Sequence, residues 1–243
     1  MDRLGSRPEV THILGVDSNP EAIKTARARY QSSPKCQVEF EYLDSEAPDF
    51  ADKLEAYLRN HDLDGFNFVN ITMTLMHLRS PFAVLSRIRR VLADGAQFFV
   101  RDIDDGLNIA YPDENNDFQH LNKLVGDLPT TGCRTDGRQL FGAFTHAGYK
   151  DIRLRKSGLS TVGMEFDDRR ALFEASFGWL RGDLEVRCKS DESNESYRED
   201  LLWFDDNIDA MREKFQAPDF FYQEGYVIFT ARYCKERPGS LRR

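Results

Sequence analysis

Residues 12–27, HILGVDSNPEAIKTAR, read as a strand, an acid, a helix cap and a helix in immediate succession. Val10 to Val16 is apolar and β-branched enough to mark a buried strand that ends at Asp17. Asn19 carries the short polar side chain that caps a helix by accepting from its first unpaired amides. Pro20 suits the first helical position and Glu21 the positive end of the helix dipole. Ala22, Ile23, Ala26 and Tyr30 then set an apolar stripe at helical spacing. An acid between strand and helix is where an open α/β sheet offers a carboxylate to a ribose. Such an acid normally follows a glycine-rich loop one strand earlier, yet MDRLGSRPEVT, the eleven residues before the strand, hold a single glycine.

Outward from this stretch the alternation continues. CQVEFEYLD (36–44) has the period of a half-buried strand and places Asp44 just past its end, and DFADKLEAYLRN (49–60) is a helix. GFNFVNITMTL (65–75) is a strand with its exit loop, and SPFAVLSRIRRVL (80–92) is a helix with Ser80 as cap and Pro81 at its first position. Asp94-Gly95 turns the chain into AQFFVRDID (96–104), a strand whose far end gathers acids. The β-α-β-α-β-α-β order predicts an α/β, Rossmann-like, mostly parallel sheet with ligands outside the carboxyl ends of its strands.

The second half is less regular. GLNIAYPDENNDF (106–118) reads as a loop, DGRQLFGAFTHAGY (136–149) as a helix closed by Gly148, and KDIRLRKSGLST (150–161) and GYVIFTARYC (225–234) as strands. MEFDDRRALFEASFGWL (164–180) and SNESYREDLLWFDDNIDAMREKF (193–215) form two or three amphipathic helices between the last two strands. An insertion of this length is expected to be a cap that faces substrate, the alternative being added core helices without a ligand role. The expected organisation is a core of residues 1–162 and 222–234, a helical cap over 163–221, and a disordered tail over 235–243. Phe173, Phe177, Trp179, Trp203, Phe204, Phe220, Phe221 and Tyr222 could line an apolar pocket there or simply pack as core.

A formal net charge of −8 over 243 residues argues against a nucleic-acid surface, which needs a basic footprint. Small-molecule chemistry is the expectation. Arg87, Arg89 and Arg90 form a local basic run, read as a solvated helix face. The four cysteines, Cys36, Cys133, Cys188 and Cys234, are far apart. That spacing suits neither a zinc site nor a disulfide framework, and fits a reducing, cytoplasmic setting. No apolar run approaches the length of a membrane span.

Taken together, GVDSNPEAIKTAR, FEYLDSE and FNFVNITMTLMHLRSPFAVLSRIRRVLADGAQFFVRDID resemble the region that follows the first motif of class I S-adenosylmethionine-dependent methyltransferases. RRVLADGA is similar to that family's R-R-V-L-x-x-G-G, with Ala96 in place of the second glycine, and MHL to its L-H-H-L turn, with Met76 in place of the first histidine. The resemblance covers roughly residues 10–104. It implies S-adenosyl-L-methionine as cofactor, Asp17 with Ser18 at the ribose hydroxyls, and Asp44 with Ser45 at the adenine amine. It further places Asn70, Ile71 and Thr72 in the loop between cofactor and substrate, and implies no metal. His77 becomes the candidate base for a phenol, thiol or amine acceptor, with Asp102 and Asp104 behind it. The partner implied is a small-molecule methyl acceptor.

The family's best-known motif, D/E-x-G-x-G-x-G after its first strand, is absent from these 243 residues. The stretch before Asp17 looks like the end of the helix that should follow it. A missing buried strand would cost on the order of 10 kcal/mol, at about 1.5–3 kcal/mol per apolar side chain. This predicts an N-terminally truncated form with weakened cofactor binding, in which the flanking strands pair directly or a partner strand fills the gap. Two other readings are a non-catalytic methyltransferase-like scaffold or partner subunit, and an NAD(P)-dependent oxidoreductase, which shares the ribose acid.

Overall fold

The computed structural model describes residues 9–128 and 132–235. The predicted tail therefore lies almost wholly outside the described residues, as do residues 1–8. The chain divides into two compact units, Met1–Phe66 with Phe82–Ala93 and Asn67–Pro81 with Asp94–Arg243.

The first unit opens with β1 (His12–Asp17), α1 (Pro20–Arg29), β2 (Gln37–Tyr42) and α2 (Phe50–Asn60). β1 and β2 are parallel, with His12 opposite Gln37 and Asp17 opposite Tyr42. α1 starts as the sequence predicts, with Pro20 in its first turn and the Asn19 side chain accepting from the amides of Glu21 and Ala22. Asn19→Ala leaves those amides to water and is expected to destabilise this unit by about 1 kcal/mol, measurable as a lower denaturant midpoint. Arg27 crosses from α1 to β2, where its Nε donates to the Phe40 carbonyl at 2.9 Å. The core is small: Ile23, Phe40, Phe50, Ala51, Leu54 and Leu58, with Val84, Leu85 and Ile88 of α3 (Pro81–Ile88) also buried.

β1 differs from its expectation. None of its residues is fully buried, and Val16 is 41% exposed. The reason is topological, since β2 is the only strand paired with β1 among the described residues. The basic run also differs. Arg87 Nη1 donates to the carbonyls of Ser45 (3.3 Å) and Glu46 (3.1 Å), and Arg90 pairs with Asp52 and Glu55. Two of the three arginines thus hold their own unit together rather than forming a free solvated face.

The second unit is built on a five-stranded sheet of β3 (Phe66–Thr72), β4 (Leu92–Ile103), β5 (Ile109–Tyr111), β6 (Lys150–Ser160) and β7 (Phe221–Arg232). β7 is the hub. It pairs antiparallel with β4, with β5 and with β6. The expected antiparallel last strand is present, and the fold is a mixed α/β sheet with helical insertions of Rossmann-like type. β4 begins at Leu92, ahead of the predicted turn, because Gly95, at φ +81°, bonds through its amide to Tyr233. The segment 106–118, read as a loop, contains β5 and the start of α4 (Asp117–Gly126). β5 is three residues long and exists only through its pairing with Phe221–Gln223.

After α5 (Leu140–His146), the insertion supplies three helices, α6 (Phe166–Phe177), α7 (Leu180–Ser190) and α8 (Glu195–Gln216). Their apolar faces close on α4 and β7 in a single cluster containing Phe118, Leu121, Phe173, Phe177, Phe204, Phe215, Phe220 and Tyr222. The Phe118 and Phe220 rings lie tilted with centroids 4.6 Å apart, and Phe215 meets Tyr222 at 5.1 Å. Most of the aromatics offered above as a pocket lining are therefore packed core. Arg169, 8% exposed, ties the ends of the insertion: Nη1 donates to the carbonyls of Phe215 (3.4 Å), Ala217 (2.7 Å) and Phe220 (3.0 Å), and Nη2 to that of Thr161 (3.1 Å). Among the described residues no helix is long and apolar enough to cross a membrane.

Candidate functional site

The parallel pairing of β1 and β2 carries Asp17 and Asp44 to neighbouring strand ends, where the Leu43 amide donates to the Asp17 carbonyl at 3.0 Å. Both acids are exposed. Asp17 Oδ1 accepts the Asn19 amide at 2.7 Å, and Asp44 Oδ1 accepts the Glu46 amide at 2.8 Å. Each turn thereby fixes one carboxylate oxygen and leaves the other without a protein donor among the described residues. No cation pairs with either acid there. Ser18 is exposed and Ser45 half-buried, the latter within the loop whose carbonyls Arg87 grips. Asp17, Ser18, Asp44 and Ser45 thus lie together.

The other sequence-selected residues belong to the second unit. Asn70, Ile71 and Thr72 end β3, with the Thr72 hydroxyl donating to Asn70 Oδ1 at 3.3 Å. Met73 follows at φ +53°, and a 3-10 turn over Leu75–His77 buries Leu75 and Met76 while exposing His77. The turn is held from two sides. Asp102, fully buried, accepts the Met76 amide at 3.2 Å through Oδ2 and the Ile103 amide at 2.9 Å through Oδ1. On the opposite side the Cys133 amide donates to the Met76 carbonyl at 2.7 Å. Gly132, at φ +71°, admits this approach because a Cβ there would stand 2.1 Å from the Met76 oxygen. Burial pushes the Asp102 carboxyl above its usual range, against the backbone amides it accepts and the nearby His77.

Asp104 has a different task from the one expected. Its carboxylate, 3% exposed, caps the turn at Gly106 and receives Arg138 on both oxygens, with Nε at 3.1 Å. Its side chain serves that turn and Arg138, not the histidine. Asp105 is bound likewise by Arg134, Nε at 2.6 Å and Nη2 at 3.1 Å, with Asn108 Nδ2 at 3.1 Å on the same carboxylate. Burial raises the Asp105 carboxyl and Arg134 draws it down, burial prevailing. Sequence reasoning missed these two clasps, and no local signal could have found them. The partners are 29 and 34 residues apart and meet only once β4 and the segment 132–139 are in place.

The Asp105–Arg134 pair lines a cavity of about 890 Å³, together with Asn108, Tyr111, Asn122 and Lys123 among others. That volume lies in the range of small-molecule sites, about 300–1,000 Å³. Asn108 organises this part of the wall, bridging Asp105 to Asn122 while its oxygen accepts the Gly225 amide at 2.8 Å. Tyr222 reaches the same Asn122 at 3.3 Å. Among the described residues no cluster of His, Cys, Asp and Glu could hold a metal ion.

A family profile described as a methyltransferase domain matches residues 4–143, more than half of the chain. The chain belongs to the methyltransferase-domain family. Its fold is that of class I S-adenosylmethionine methyltransferases, and solved structures agree. A Bacillus halodurans C-125 protein provisionally described as a methyltransferase superposes with TM-score 0.53 at 17% identity, covering 94% of this chain and 85% of the other. The YcgJ protein of Bacillus subtilis gives TM-score 0.52 at 15% identity over the same shares. At such identities the likeness speaks for the fold alone. No curated protein sequence matches this methyltransferase domain. The family match begins inside the residues ahead of β1 and runs through the β1, β2 and β4 strand ends into α5.

Proposed function

We propose that this domain is an S-adenosyl-L-methionine-dependent methyltransferase acting on a small molecule in a reducing, cytoplasmic setting. The observation that carries the reading is the pair Asp17 and Asp44, two exposed carboxylates at adjacent strand ends, each with one oxygen committed to its own turn and neither held by a cation among the described residues. Had a salt bridge closed either acid, the adenosine reading would fail. In the proposal Asp17 and Ser18 take the ribose hydroxyls, since a carboxylate on vicinal hydroxyls makes charge-assisted bonds. Asp44 and Ser45 meet the adenine amine, and Asn70, Ile71 and Thr72 border the donor. When bound, the cofactor supplies an electrophilic methyl on its sulfonium, so alignment of the acceptor does most of the work. His77 takes the acceptor's proton where one must leave. The cavity beside Asp105 and Arg134 receives the acceptor.

The 243 residues contain no D/E-x-G-x-G-x-G loop to offer backbone amides to the methionine moiety, so this chain is expected to bind the cofactor weakly. Calorimetric titration with S-adenosylmethionine tests the reading. Asp17→Ala removes charge-assisted bonds worth about 1.5–3 kcal/mol, so affinity should drop tenfold or more. Unchanged affinity in that variant defeats the assignment. The same missing loop favours a second reading, a non-catalytic subunit of a larger assembly; recovery of the chain from cell extract only together with an active methyltransferase subunit would support it.

A further inference from the structure

We propose that the outer edge of β6 is a docking edge where an acidic, extended peptide segment of a partner protein adds as a further strand. This inference stands apart from methyl transfer. β6 runs eleven residues, Lys150–Ser160, and pairs only with β7 among the described residues. Its other edge therefore offers a long row of backbone donors and acceptors. Within seven residues it carries Lys150, Arg153, Arg155 and Lys156, all exposed, against the single acid Asp151. By contrast Arg27, Arg87, Arg90, Arg134, Arg138, Arg169, Arg181, Arg187 and Arg212 each meet an acid or a carbonyl, and the formal net charge is −8.

The sheet supplies no counter-charge. Across the ladder Arg153 faces Thr230, Arg155 faces Ile228 and Lys156 faces Val227, while Lys150 lies opposite Arg232. Like charges directly opposite are unfavourable, and among the described residues no acid stands across the ladder from any of the four cations. Charged edges also deter aggregation, and that bland role needs no partner. A long edge with uncompensated charge of one sign and two exposed leucines, Leu154 (50%) and Leu159 (42%), has the further parts of a strand-addition site. Such sites take affinity from main-chain bonds and specificity from alternate side chains.

Charge chooses the occupant. A second copy pairing antiparallel about Arg155, the middle of β6, would set Arg155 against its own counterpart and bring Arg153 diagonal to Arg155 and Lys156 diagonal to Lys156 of the other copy. The chain's last nine residues, KERPGSLRR, hold four cations and one acid, so they do not complement the edge either. Nucleic acid would meet a short stripe on an acidic protein. An acidic strand satisfies both the edge amides and the cations.

The probe is a fluorescein-labelled decapeptide of alternating Glu and Val, titrated with the full chain by fluorescence anisotropy. Saturable binding is expected, weakened at least tenfold by R153E/R155E/K156E and clearly reduced by the charge-neutral R153Q/R155Q/K156Q, both checked for an unchanged thermal midpoint. The same peptide N-methylated at alternate amides keeps its charge and loses its edge donors, so its binding should be lost. The proposal is overturned if the unmodified peptide does not saturate, if the N-methylated peptide binds equally, or if a Lys–Val peptide, a single-stranded DNA or anionic phospholipid vesicles bind as tightly.

Discussion

Phe215→Ala is expected to destabilise the second unit by about 3–5 kcal/mol, the range for deleting a buried phenyl ring. Phe215 is completely buried near the end of α8 and touches four other rings: Phe173 at 5.3 Å, Phe220 at 5.7 Å, Phe118 at 6.0 Å and Tyr222 at 5.1 Å. These neighbours come from α6, α4, β7 and the residue that leads into it. No single element can therefore move in to fill the space, and the cavity persists. A whole domain is stable by only about 5–15 kcal/mol, so the loss is a large share. Denaturant unfolding of wild type and variant, followed by far-ultraviolet circular dichroism, gives the number. A change below about 1 kcal/mol would show that the helical insertion does not share a core with the sheet.

Asp102→Ala should act on stability and on activity together. It strips a buried acceptor from the amides of Met76 and Ile103, and each orphaned buried amide costs about 1–3 kcal/mol. The expected loss is on the order of 3 kcal/mol, with the His77 turn released and, on the proposed function, methyl transfer lost with it. Cofactor affinity, which the proposal assigns first to Asp17 and Asp44, should survive wherever the protein is still folded. Asp102→Asn isolates the charge. Because burial raises the folded-state pKa of Asp102 above its unfolded value, the folded form binds that proton more readily. Its contribution to stability is fully present below the ordinary carboxylate range and is lost as pH rises through the folded-state value. The Asn variant lacks this term, so the wild-type-minus-variant difference should fall with rising pH across that window. A difference that stays flat, or rises, contradicts the assignment.

The sequence made the first unit's elements readable because its signals are local. Asn19-Pro20-Glu21 marks a helix start by chemistry alone, and the period of residues 37–42 marks a strand. α4 was missed. Phe118, Leu121, Leu124 and Val125 recur at helical spacing, yet the polar run Asn115-Asn116 ahead of them reads as loop. β5 was not legible, because three residues carry no period and its only warrant is the partner strand. At the candidate site, the positions of Asp17 and Asp44 followed from strand ends. What surrounds them did not: Arg87 reaches the Ser45 loop across 42 residues, and the two arginine clasps on Asp104 and Asp105 are similarly distant. The exposure of β1 was hidden too, since an apolar strand looks buried until its neighbours are counted.

The single guanidinium at Arg169 sets a limit on how the three-helix insertion can move. It bonds at once to the residue where the chain leaves β6 and to the residue just before β7. Swinging the helices outward as a hinged flap would sever several charge-assisted bonds in an enclosed place. The polar cavity does not depend on such a swing: among the described residues its lining comes from 105–127 and 133–135, and in the Tyr111–Asn116 stretch between β5 and α4 the residues Tyr111, Glu114, Asn115 and Asn116 already face solvent. The doorway belongs to that short loop, and the three helices need not open for it.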